Sequence, residues 1–89
     1  MKKLRLFLNA MSPRDQESFS RSCGTTIGYL RKAISSGQRL RTDLCVKIEQ
    51  RSDYYLMRWD LRPTDWHEHW PELIDKPGSP PVPVAQEVV

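Results

Sequence analysis

No stretch of the 89 residues comes near the roughly 18 consecutive apolar residues needed to cross a bilayer as a helix. A basic amphipathic helix with a broad apolar face is missing too, which disfavours a membrane surface as partner. The opening Met-Lys-Lys-Leu-Arg-Leu-Phe-Leu-Asn-Ala-Met superficially resembles a secretory signal, but Arg5 and Asn9 break its apolar run. That run is also shorter than a signal's apolar segment. It reads as a first helix, and the protein as cytoplasmic with no membrane partner. Cysteine is scarce: Cys23 and Cys45 are the two present. Two thiols in an ordinary composition read as reduced core residues before they read as a disulfide. There is no internal repeat.

Only 38% of residues are hydrophobic, so the chain supports one small domain with a marginal core that self-association would help. Charge is unevenly distributed. Residues 1–62 hold 13 Lys and Arg against 6 Asp and Glu, a net +7. Residues 63–89 hold Lys76 against Asp65, Glu68, Glu72, Asp75 and Glu87, a net −4. A basic body with an acidic end favours an anionic partner for the body.

Leu4, Leu6, Phe7, Leu8 and Met11 include the i, i+3, i+4, i+7 spacing of a first helix with one buried face, while Lys2, Lys3 and Arg5 sit at its start, where the helix dipole disfavours them. Ser12-Pro13-Arg14-Asp15 predicts the start of a second helix, with Ser12 as cap, Pro13 in the first position and Asp15 reaching back. Phe19 and Cys23 face inward and Gly24 ends that helix with a positive φ. Thr25 or Thr26 caps a third helix in which Leu30, Ala33 and Ile34 are buried and Ile27 is at the edge. On a wheel of about 100° per residue with Leu30 at zero, Gly28, Arg31, Lys32 and Ser35 fall between about 100° and 200°, facing outward. Gly37 stops the helix. A fourth helix runs from about Thr42 to Gln50, with Leu44, Cys45 and Ile48 inward and Lys47 and Arg51 outward. Tyr54 to Trp59 reads as an extended segment or the lead into a short fifth helix. A helical turn follows Pro63, with Trp66 and Trp70 on one face. The chain from Lys76, rich in proline, reads as a disordered or polyproline-II tail. Its valines, Val82, Val84, Val88 and Val89, could instead add an extended segment to a partner. Its acidic residues could also shield the basic face when the anionic partner is absent.

Helix, glycine turn, helix, with small Ser20 at the crossing and Phe19, Cys23, Leu30 and Ala33 locking the pair, is the pattern of a helix-turn-helix. The rival is a plain helical bundle whose charges keep it in solution. Residues 24–40, and above all Lys32-Ala33-Ile34-Ser35-Ser36-Gly37-Gln38-Arg39-Leu40, resemble the turn and recognition helix of lambda-type Cro repressors. Met57-Arg58-Trp59-Asp60-Leu61-Arg62-Pro63-Thr64-Asp65-Trp66 with Trp70-Pro71-Glu72-Leu73 resembles the closing element of the YdaS-type Cro-like regulators of prophages.

This resemblance implies an all-α, lambda-repressor-like domain of about five helices over residues 1–74 with a disordered tail over 75–89. A Cro-type strand over 57–61 would instead make the fold α+β. It implies a sequence-specific repressor of a phage or prophage promoter, binding a double-stranded operator as a homodimer or higher oligomer and located on the nucleoid when bound. Base reading would fall to Thr26, Ile27, Gly28, Arg31 and Lys32. Ile27 and Gly28 stand where relatives often carry Gln and Ser, so no relative's operator carries over. Arg31 or Lys32 suits guanine O6 and N7, and Thr26 and Ile27 suit the thymine methyl. Gln16, Thr25, Ser35, Arg39 and Arg41 are the expected phosphate contacts, which position without specifying sequence. Tyr54, Tyr55, Met57, Trp59, Trp66 and Trp70 are the expected oligomer interface.

Other chemistry finds little support. His67 and His69 are spaced about 200° apart on a helix with no cysteine close in sequence, so neither metal nor other cofactor is expected. The tryptophans could stack bases as in single-strand binders, but core or subunit contact explains them better. Asp60 reads as a partner of Arg58 or Arg62, and Asp65 as a residue near a helix start, leaving no catalytic pair and no enzyme. The main alternative is an antitoxin or adaptor that binds a toxin or another protein. A nonspecific nucleoid binder, marked by strong salt dependence, is a third.

Overall fold

Ser12 and Thr26 open the two helices on which the rest of the molecule is arranged. The Asp15 N–H donates to Ser12 Oγ at 3.2 Å, and the Tyr29 N–H donates to Thr26 Oγ1 at 3.1 Å. Each such cap is worth about 1 kcal/mol. Asp15 makes no return bond, so only half of the expected capping box forms. The computed structural model describes residues 1–83. It contains α1 (Lys2–Asn9), α2 (Pro13–Ser22), α3 (Ile27–Ser36), α4 (Thr42–Arg51), α5 (Arg58–Leu61) and α6 (Trp66–His69), then one 3-10 turn at Pro71–Leu73.

The domain is all-helical among the described residues, which sets aside a strand at 57–61. The end of the fold is split more finely than expected, into two four-residue helices and the 3-10 turn. After Leu73, turn bonds from Lys76 N to Leu73 O and from Ser79 N to Lys76 O are formed, with no helix or strand up to residue 83. The expectations for Val84, Glu87, Val88 and Val89 lie outside the described residues. No helix is long and apolar enough to cross a membrane among the described residues.

Leu4 and Leu8 of α1, Leu30 and Ala33 of α3, and Leu44, Cys45 and Ile48 of α4 meet in the core. Trp66, Trp70 and Leu73 close it from the C-terminal side. Both cysteines are free and buried. Burial raises the Cys23 thiol pKa and pushes that of Cys45 up to about 12, so both behave as apolar core groups.

Ion pairs bridging segments distant in sequence hold the ends to this centre. Buried Glu49 accepts from the Arg58 backbone N–H at 2.9 Å and from its Nε at 3.2 Å, which fixes the start of α5 on α4. Asp60 pairs with Lys3 at 3.2 Å and accepts the Met57 N–H at 2.9 Å. Arg58 and Arg62 are therefore not its partners. Arg62 instead grips Asp65 at 2.6 and 3.0 Å and donates to the Leu40 carbonyl at 2.6 Å, tying α5 and α6 to the loop after α3. The hydrogen bond from Arg62 holds the Asp65 carboxyl below its ordinary value and raises Arg62 above its own.

Candidate nucleic-acid interface

The α2–α3 pair begins with the fully buried Ser20, whose Oγ donates to the Gln16 carbonyl at 2.8 Å. That bond returns the hydroxyl to its own helix and lets α3 approach closely. Gly24 follows with φ +80°, a left-handed conformation that suits glycine. The Thr25 N–H then bonds back to Ser20 O at 3.0 Å, closing the turn. Thr26 caps α3, and Gly37, at φ +70°, ends it.

Leu30 and Ala33 are buried, Ile27 and Ile34 are half-buried against the core, and Gly28, Lys32, Ser35 and Ser36 are exposed. Arg31 is half-buried for a specific reason: its Nη2 donates to Gln16 Oε1 at 3.0 Å, and Gln16 Nε2 donates to the Met11 carbonyl at 3.0 Å. The start of α2 thus orients a cation on the outward side of α3. Lys32 has no carboxylate within 4.0 Å among the described residues.

Gly28 has a further property. A Cβ added there meets nothing closer than Thr26 Oγ1 at 4.0 Å. Internal packing therefore does not require glycine, although it weakens the helix by up to about 1 kcal/mol relative to alanine. What glycine does provide is a flat first turn on an exposed face.

Thr25, Thr26, Tyr29 and Arg41 line one surface cleft of about 290 Å³ at the start of α3. Tyr29 was not among the expected contacts, because its wheel position gave no sign that the following loop would bring Arg41 beside it. The Thr26 hydroxyl already accepts from Tyr29 N, leaving its methyl group for apolar contact. Ser35 Oγ donates to the Lys32 carbonyl at 3.1 Å, so its hydroxyl hydrogen is engaged within the helix. Arg39 lies 3.5 Å from buried Asp65 and Arg41 lies 3.6 Å from Asp43, yet both side chains remain about two-thirds exposed.

The six expected interface residues divide. Tyr54 and Tyr55 are exposed, at 60% and 55%, as is Leu6. Met57 and Trp59 are half-buried, while Trp66 is fully buried and Trp70 is 8% exposed. Trp66 packs edge-on to Trp59 with centroids 5.9 Å apart, and Arg58 lies over Trp70 at 5.3 Å. This pair of indoles faces the domain's own core, which corrects their place in an outer surface. Asp53 and Tyr54 both have positive φ, 56° and 63°. Such backbone costs about 1 kcal/mol or more per non-glycine residue, and here it turns two tyrosines toward solvent.

No known protein family, curated protein or solved structure matches the chain.

Proposed function

We propose that this protein is a helix-turn-helix transcriptional repressor of the Cro-like, YdaS-type class that binds an operator in double-stranded DNA. The observation that carries this reading is the outward face of α3, with Arg31 oriented by Gln16 at 3.0 Å, Lys32 without a carboxylate partner among the described residues and Gly28 free of any packing demand. In the major groove Arg31 or Lys32 donates to guanine O6 and N7, a contact worth roughly 1–3 kcal/mol of discrimination. Thr26 and the exposed edge of Ile27 contact thymine methyl groups. Gly28 lets the helix sit close to the base edges. Gln16, Thr25, Arg39 and Arg41 contact phosphates and set the register, and Ser35 joins them by turning its hydroxyl hydrogen away from the Lys32 carbonyl.

Repression then follows by occlusion. Two copies place their α3 helices about one helical turn of DNA apart and exclude polymerase. Tyr54 and Tyr55, which are exposed, and Met57 and Trp59, which are half-buried, are the protomer contact in this account. The protein works in the cytoplasm on the nucleoid, without catalysis or cofactor. An antitoxin or adaptor is the second reading, favoured by the exposed Leu6, Tyr54 and Tyr55. It assigns those side chains to another protein.

Selection from a pool of random duplexes tests the proposal. Wild type enriches one half-site, and Arg31→Ala with Lys32→Ala enriches none while remaining helical. Enrichment of the same site by both proteins would refute it.

A further inference from the structure

Three cations open α1, and they do not serve alike. Lys3 is engaged by the Asp60 carboxylate at 3.2 Å and lies 4.8 Å from the Tyr55 ring centroid. Lys2 and Arg5 are exposed, and neither has a carboxylate within 4.0 Å among the described residues. With no acidic residue in the first turn of α1, they repel one another and oppose the helix dipole.

Their position is informative. Lys2 and Arg5 line a cleft of about 210 Å³ with Met1 and Ile34, and Ile34 belongs to α3, one turn beyond Arg31. With Leu30 at zero and about 100° per residue, Ile34 stands at about 40° and Tyr29 at about 260° around α3. The arc between them carries Arg31, Ser35, Gly28 and Lys32. The outward face is thus bracketed by two cationic clefts, one holding Arg41 beside Tyr29 and the other holding Lys2 and Arg5 beside Ile34.

We propose that Lys2 and Arg5 bind DNA phosphates, so that the backbone is held on both flanks of α3. The inference rests on the DNA-binding reading and adds a contact from α1 to it. A helix lying in the major groove has a phosphate wall on either side, about 12 Å apart. Arg41 and Thr25 serve one wall. Lys2 and Arg5 continue the other from Gln16 toward the far half of α3. Such contacts strengthen binding to every sequence alike and raise its salt dependence.

The test is the slope of log Kobs against log [NaCl] between about 50 and 200 mM, with the full chain on a mixed-sequence duplex. The slope should fall by about 0.9 for Arg5→Gln and by about 1.8 for Lys2→Gln with Arg5→Gln. Arg5→Lys should keep the wild-type slope, and Lys3→Gln should leave it unchanged. Thermal melting by circular dichroism should show the Lys2 and Arg5 variants folded, since both side chains project into solvent, and checks that Lys3→Gln remains folded as well. An unaltered slope in the double variant would overturn the inference while leaving the repressor reading in place. An equal fall for Lys3→Gln would overturn it as well, by reducing it to net charge. Wild type that binds no duplex at any salt would overturn both.

Discussion

The Arg31 guanidinium on α3 donates to the Gln16 side-chain carbonyl on α2 across 3.0 Å, and Gln16 is itself fastened to the Met11 carbonyl. A flexible cation on the presented face is thereby pre-aimed, which lowers the entropy lost on binding. Gln16→Ala should weaken operator affinity about fivefold to tenfold, roughly 1–1.4 kcal/mol. Since Gln16 is also a proposed phosphate contact, the decisive number is its coupling to Arg31. A double-mutant cycle with Arg31→Ala should give a coupling above about 0.5 kcal/mol. Additive losses would show that the two side chains act separately.

Gly28→Ala should separate stability from binding. With 4.0 Å of clearance for a new methyl group, the substitution should stabilise the fold by about 0.5–1 kcal/mol. The same methyl group stands on the face offered to DNA and should reduce operator affinity. Urea midpoints and binding isotherms on one preparation check both halves. A stabilised variant with full affinity would remove Gly28 from the interface.

The central helices were legible in the sequence because their signals are local. Caps at Ser12 and Thr26, positive-φ glycines at 24 and 37, and the spacing of Leu44, Cys45 and Ile48 each act within one turn of chain. What could not be read depends on distant partners. Asp60 finds Lys3, 57 residues away, where adjacency suggested Arg58 or Arg62. Trp66 and Trp70 were recognisable as one face, but periodicity does not say whether a face meets the core or a neighbour. The Gln16–Arg31 bond joins residues 15 apart, beyond the reach of any local spacing signal.

Acid should act through the Arg62–Asp65 pair. The hydrogen bond from Arg62 holds the folded Asp65 carboxyl below its ordinary 3.8, so the unfolded chain takes up this proton first as pH falls. The pair's contribution is therefore complete above about pH 4 and is lost as pH drops through the folded value. Both side chains are largely buried, at 11% and 9% exposure. Asp65→Asn should cost about 3 kcal/mol near neutrality and remove this residue's share of the acid limb. Denaturant midpoints measured from pH 2 to 7 would show it, and an unchanged acid limb would contradict the assignment.

The thiols give a check on the core. Cys45 is pushed up to about 12 and Cys23 is also raised, both by burial. Thiolate is the reactive form, so neither should react with a disulfide reagent at pH 8 until the protein is unfolded. Rapid labelling of one thiol in the native state would show that its helix opens more readily than this packing allows.

The repressor account is tested most directly by a gel-shift titration on DNA from upstream of the protein's own gene, against scrambled competitor at about 150 mM salt. The account predicts a complex that saturates at nanomolar protein, resists competitor and is abolished by Arg31→Ala with Lys32→Ala. Weak binding lost equally to specific and scrambled DNA would contradict it and turn attention to the exposed Tyr54 and Tyr55 as a site for another protein.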